Sequence, residues 1–367
     1  MKKILLMSFE YPVDEKYCGG VGQIVKLSRE IFKNLGNEVY VLISSKFQKK
    51  YPVKVLMPDD TLKKYATFSA FQKALPLDGF DCVIQHFVNW VKELKEVRKK
   101  TKIVYHFHSL LRREKESGFK TVNRFLKNQE SMIEIVHKII CPSRFEYDNF
   151  MRYFPKFSDK AKLIENTIEI YPPQKDFIKK IKEQYSIKEE DLVSIYVGRL
   201  EKIKGAEILI DNLPRLLKKY RNNKFIIFGR VLERRLYNKL KILLEKFPRQ
   251  LFYHKYLKKQ LLFQYYYLSH IFVNPSLSES FSLATHECAY CETALLLNPL
   301  PAFDKFKSSA IFFDETDKNN NKFIEAYEIL ITDRDRIENL ARRAKRIAKK
   351  ELKLSSFHEK LSKVLDF

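Results

Sequence analysis

Residues 192–220 read LVSIYVGRLEKIKGAEILIDNLPRLLKKY. LVSIYV is a short, β-branched apolar run of the kind that forms a buried strand, and KGAEILIDNLPRLLKKY reads as a helix. The loop between them, GRLEKIKG at 198–205, places Arg199 and Lys204 where strand gives way to helix. Both cations can therefore converge on an anion at the strand's carboxyl end. The same alternation continues through the second half of the chain. KFIIFGR, LFYHKYL, HIFVNPS and TALLL read as strands, with RRLYNKLKILLEKF and SLATHECAYCE as intervening helices. Strand–helix alternation of this kind predicts a mostly parallel sheet with helices on both faces.

The first half follows the same pattern. KKILLMSF is a strand candidate, followed by a loop with Gly19, Gly20 and Gly22. Ile24, Leu27, Ile31 and Leu35 then form a helical stripe that ends at Gly36, a natural helix stop. EVYVLISS is the next strand candidate, and others begin at Asp81, Lys102, Lys138 and Ala161. Tyr171-Pro172-Pro173 interrupts the rhythm, because proline stops both helix and ladder. The expected fold is α/β, with two doubly wound domains facing a central cleft. The N-terminal domain is placed at 1–172 and the C-terminal one at 173–350. Residues 351–367 form a last helix, in which Phe357, Leu361 and Leu365 make a stripe that must be buried.

Composition limits the function. The chain has 367 residues, 45% hydrophobic and 31% charged, enough to bury two cores. The opening MKKILLMSFEYP is too short in apolar residues for a secretory signal, and no stretch approaches the roughly 20 apolar residues of a spanning helix. Five scattered cysteines argue for a reducing compartment, so the expected location is the cytoplasm. With 69 Lys+Arg against 45 Asp+Glu, the net charge of +24 favours anionic partners: phosphorylated substrates, an anionic membrane surface or nucleic acid. The densest basic run, RRAKRIAKK at 342–350, has helical spacing and reads as a solvated face.

The segment 275–289, PSLSESFSLATHECA, holds a second group of candidates. Glu279 and Glu287 stand eight apart, and Phe281, Ser282 and Leu283 open a helix. Free N–H groups at a helix start suit a diphosphate. Glu287, about two turns on, can reach ribose hydroxyls, and Glu279 can face a transferred group. Neither loop carries an Asp-x-Asp pair, and Arg199 and Lys204 are two cations that can balance an anion there. At 4 Å and an effective dielectric near 20, each contributes about 4 kcal/mol of Coulomb energy before desolvation.

Together these segments resemble glycosyltransferase family 4, retaining enzymes of the GT-B fold, which has two Rossmann-like domains. GRLEKIKG and ESFSLATHE carry the resemblance; YPVDEKYCGGVGQIVKLS, HFHSLLRREK, CPSRF and ENTIEI support it. The resemblance implies that Arg199 and Lys204 bind the diphosphate of a UDP- or GDP-type sugar donor, with backbone near Phe281, Ser282 and Leu283 completing the clamp. It implies that Glu287 holds the ribose, and that Glu279 and His108 act at the reacting centre. Gly19 and Gly20 would let the backbone approach the substrate. No cofactor is implied beyond the nucleotide-sugar co-substrate. The net charge leads to the expectation of a hydroxyl acceptor that is lipid-linked or phosphorylated, with Arg112, Arg113 and Lys115 as candidates for peripheral contact with an anionic membrane. The last helix would return to the N-terminal domain. The chain departs from the family pattern at Glu292-Thr293-Ala294, where a Gly-x-Pro turn is usual. It departs again in NPLPAFDKFKSS, where a glycine-rich loop near the donor sugar is usual. The alternative reading is a non-catalytic or nucleic-acid-binding protein on the same scaffold. Cys288 and Cys291 read as packing residues, His86 and His106 as core or cleft-wall residues, FQYYYLS as a packed helix and DKNNNK as a polar loop.

Overall fold

The computed structural model describes residues 1–13, 18–44, 51–119, 122–313 and 321–366. The polar loop expected at 317–322 falls largely outside them, as do residues 14–17 of the N-terminal glycine loop. The chain divides into two compact units, Met1–Thr167 with Lys353–Phe367, and Ile168–Leu352.

In the first unit the described strands are β1 (Lys3–Ser8), β2 (Glu38–Ile43), β3 (Val53–Leu56), β4 (Leu62–Tyr65), β5 (Cys82–Gln85), β6 (Lys102–His106), β7 (Lys138–Cys141) and β8 (Ala161–Leu163). They lie in the order β4-β3-β2-β1-β5-β6-β7-β8. The six strands from β2 to β8 in that order run parallel, and their apolar residues are covered on both faces as a parallel sheet requires. The hairpin β3–β4 pairs antiparallel, its strands joined by a short turn through Asp60, which takes φ +68°. Lysines 63 and 64 lie on the outer strand of this hairpin, where charge discourages further pairing.

The second unit is a parallel sheet, β11-β10-β9-β12-β13-β14. Its strands are β9 (Leu192–Val197), β10 (Asn223–Phe228), β11 (Leu251–His254), β12 (Ile271–Asn274), β13 (Ala294–Leu297) and β14 (Ala310–Phe312). Both units are thus doubly wound. The helix Lys259–Leu268 contains the FQYYYL run and buries Phe263, Tyr265 and Tyr266. Cys288 and Cys291 are buried free thiols.

The contact boundary between the units falls at Thr167–Ile168, and the chain re-enters the first unit at Lys353. The terminal helix Leu354–Ser362 packs on the helix Gly20–Asn34, with Phe357, Leu361 and Leu365 buried. Lys138 Nζ donates to the carbonyl of Val364 at 3.2 Å and fastens the chain end to β7. Among the described residues no helix is long and apolar enough to cross a membrane.

Candidate active site

In a doubly wound sheet, ligands gather at the carboxyl ends of strands where the strand order reverses. In the second unit that point lies between β9 and β12, neighbours from which the sheet runs out in opposite directions. The loop after β9 is 198–205 and the loop after β12 is 275–282. Both motif segments therefore open at one switch point.

Their contact depends on a glycine. Gly205 takes φ +62°, and a Cβ there would lie 1.8 Å from the carbonyl oxygen of Pro275. The two loops thus touch backbone to backbone, and Leu277 N–H donates to the carbonyl of Ile203 at 2.9 Å. This contact places Lys204 Nζ 2.8 Å from Glu279 Oε1, which also accepts from Ser276 Oγ at 2.9 Å. Tyr196 hydroxyl donates to the carbonyl of Arg199 at 2.9 Å and holds the loop's other end. Arg199 itself points outward, 59% exposed, with Nη2 2.9 Å from Glu201 Oε1. Gly229, after β10, packs equally tightly: a Cβ there would meet the carbonyl oxygen of Gly198 at 1.8 Å.

The helix of the second motif begins at Leu283, with Ser282 before it at φ +63°. Glu287 is therefore the fifth helical residue, little more than one turn in, rather than two turns from a start near Ser280. Asn274 Nδ2 donates to Ser282 Oγ at 3.1 Å and fixes the entry to the helix. Phe281 is buried and stacks flat on His286 at 4.0 Å between ring centres. Burial, with Lys305 nearby, lowers His286 to about 3, so the ring is neutral. Glu287 is nearly inaccessible. Its Oε1 lies 2.5 Å from Lys259 Nζ, and its Oε2 accepts from the Tyr266 hydroxyl at 3.0 Å.

The two family departures have structural counterparts here. Glu292 takes φ +65°, a conformation glycine adopts without strain, and its carboxylate pairs with Lys345 at 2.6 Å. The segment NPLPAFDKFKSS forms a short helical turn, Pro301–Phe306, that buries Phe303 and Phe306. Lys305 Nζ from this turn lies 5.5 Å from the centre of the Phe281 ring.

The first unit has its own switch point, between β1 and β5. Gly19 and Gly20 are exposed, at the start of the helix Gly20–Asn34. A Cβ on Gly19 would lie 2.8 Å from a Glu10 carboxylate oxygen. That carboxylate also accepts from Gly22 N–H at 3.0 Å. His108 follows β6 and stands beside two further imidazoles. Its Nε2 lies 3.1 Å from Nδ1 of His86, and the His106 ring stacks on it at 4.8 Å. Burial lowers all three below the usual histidine value, His106 to about 3, with the neighbouring rings adding to the effect on His86 and His108. Gln129 holds the following segment, donating to the carbonyl of Ser109 at 3.0 Å and accepting from Leu111 N–H at 2.8 Å.

A further expectation is corrected. Arg113 does not belong to an exposed basic patch: it is buried, with Nη2 2.9 Å from Oε1 of the fully buried Glu146. Arg112 and Lys115 are the members left on the surface, Arg112 pairing with Glu116 at 3.6 Å.

Sequence reasoning missed Glu10, Ser276 and Lys259. Nothing separates Lys259 from the other basic residues until the fold sets it over Glu287. Among the described residues no group of three or more His, Cys, Asp or Glu side chains is arranged to hold a metal ion.

Two family models divide the chain, Glycosyltransferase Family 4 over residues 18–170 and Glycosyl transferases group 1 over 177–351. An alpha-monoglucosyldiacylglycerol synthase of Acholeplasma laidlawii is 23% identical over 341 residues, 82% of each chain. The fold is shared with sucrose-phosphate synthase of Thermosynechococcus elongatus, at TM-score 0.80 and 14% identity, covering 99% of this chain and 98% of that one. It is shared also with Anabaena HepE, solved with UDP and glucose, at TM-score 0.72 and 15% identity over the whole of both chains.

Proposed function

Because the chain belongs to glycosyltransferase family 4 and moves a sugar from a nucleotide-sugar donor, we propose that it is a retaining, metal-independent transferase using a UDP- or GDP-linked sugar. The observation that carries this reading is the Lys204–Glu279 pair at the β9/β12 switch point. When the sugar–phosphate bond breaks, negative charge grows on the departing diphosphate. Lys204 is the cation at that charge; Arg199, exposed and paired with Glu201 on the same loop, would turn inward to join it, and the amides at the helix start near Phe281, Ser282 and Leu283 add donors. Glu279, next to Lys204, faces the transferred sugar. Glu287 takes the ribose, and UDP and UDP-glucose complexes of Anabaena HepE favour a uridine donor.

The first unit is assigned the acceptor side. Its His108, neutral at physiological pH, can share a hydrogen bond with a hydroxyl without placing a second charge there. Gly19 and Gly20 leave the backbone open at the start of the first helix. For the acceptor we propose a hydroxyl of a glycolipid or diacylglycerol at an anionic membrane surface, supported by the name of the Acholeplasma relative and the +24 charge. The test is a melting screen with UDP-, GDP- and ADP-sugars, followed by transfer assays in anionic vesicles containing diacylglycerol. The expected result is stabilisation by one donor, and transfer reduced about 10²-fold by Lys204→Ala. Stabilisation by none, with salt-sensitive retention on DNA, would replace this reading with the nucleic-acid-binding one.

A further inference from the structure

Lys259 and Glu287 lie on different helices, Lys259–Leu268 and Leu283–Tyr290, and only the fold brings them together. Glu287 is 1% exposed and Lys259 21%, so the lysine is the outward end of the pair. A carboxylate this deep stays charged only when it is paired and hydrogen-bonded. Lys259 supplies the pairing, and the Tyr266 hydroxyl spends its single proton on the other oxygen. Each carboxylate oxygen keeps one more lone pair, so two adjacent acceptors remain, the arrangement that a vicinal diol matches. The ammonium has three protons and commits one to Glu287, leaving the rest for its exposed side.

Resting on the assignment of Glu287 to the ribose, we propose that Lys259 is a further nucleotide-binding residue, which pairs with Glu287 in the interior and donates to the ribose from the exposed edge of the pair. The remaining groups around Glu287 do not compete for this role. Cys288 and Cys291 are thiols that burial keeps protonated. On the adjoining helix Arg334–Glu351, Lys345 is engaged by Glu292 and Lys349 lies over the Tyr290 ring. With Lys259 removed, the buried carboxylate loses its cation and the ribose loses a donor.

The experiment is calorimetric titration of the full chain with UDP and its 2′,3′-dideoxy analogue, or the GDP pair if the screen selects guanosine. The unaltered protein should prefer the ribonucleotide by about 100-fold, the worth of two hydrogen bonds to a charged group. Glu287→Gln and Lys259→Met should each remove most of that preference. Lys259→Arg, which keeps a charged donor at the same place, should retain the preference. Lys259→Gln, which keeps a neutral donor, serves if the methionine variant does not fold. If Glu287→Gln loses the preference while Lys259→Met or Lys259→Gln keeps it, the role of Lys259 is overturned and that of Glu287 stands. If Glu287→Gln keeps the preference, the ribose assignment fails, and this inference with it.

Discussion

Replacing Gly205 by alanine tests the link between backbone packing and the donor site. The new methyl would start 1.8 Å from the carbonyl oxygen of Pro275 and 2.4 Å from its carbon, where ordinary contact begins at 3.4 Å. The loops must therefore separate by about 1.6 Å, since the obstacle is backbone and cannot rotate away. The left-handed φ of +62° adds its own cost of about 1–2 kcal/mol for a residue with a Cβ. Overpacking adds about 1–3 kcal/mol, so the whole change should destabilise the second unit by about 2–5 kcal/mol. For a domain of this size each kcal/mol moves the melting point by about 2–4 °C. The Leu277–Ile203 hydrogen bond and the Lys204–Glu279 pair cross the same gap, and both should break. A displacement of about 1 Å at a reacting centre costs about 10²-fold in rate. The assay is melting by calorimetry together with donor binding and turnover. Two controls separate the causes: Gly36 has φ +78° with nothing within 4 Å of an added methyl, and Gly79 has free space and no positive φ. Gly36→Ala should show the conformational cost alone, and Gly79→Ala should be near neutral. If Gly205→Ala costs no more than Gly36→Ala and binds donor normally, the close approach does not hold the site together.

Arg113→Met should destabilise the first unit by about 3–5 kcal/mol in denaturant titrations, because Glu146 is left charged in the interior; exposed Arg112→Ala should cost under about 1 kcal/mol. His106 and His286, both held to about 3, are neutral when folded but take up protons near 6.5 when unfolded, so their contribution is complete above about pH 6.5 and lost as pH falls. Each should withdraw about 3 kcal/mol by pH 4, a steep acid drop in melting temperature that His106→Phe should lessen. Phe357→Ala should cost about 3–5 kcal/mol of first-unit stability, measured by urea unfolding, because its ring is buried in the terminal helix.

The fold class was legible in the sequence because apolar strand runs and helical stripes are local signals, set by the periods of backbone geometry. LVSIYV, KFIIF and HIFVN became β9, β10 and β12 with little adjustment. The hairpin β3–β4 escaped notice because VKVL and LKKY are only four residues each and carry one and two lysines, so their pairing shows only once β2 offers an edge. The candidate site divides along the same line. GRLEKIKG and ESFSLATHE marked Arg199, Lys204, Glu279 and Glu287 as candidates, because both segments lie between a strand end and a helix start, which is a local signal. Composition could not say that Arg113 turns inward to Glu146, or that one lysine among 69 basic residues seals Glu287. Those pairings depend on which buried carboxylate lies within reach of which cation. That distance is fixed by helices packing across each sheet; at the switch point of the second unit it is Gly205, whose missing side chain lets two loops 70 residues apart meet, that sets Lys204 against Glu279 in the same way.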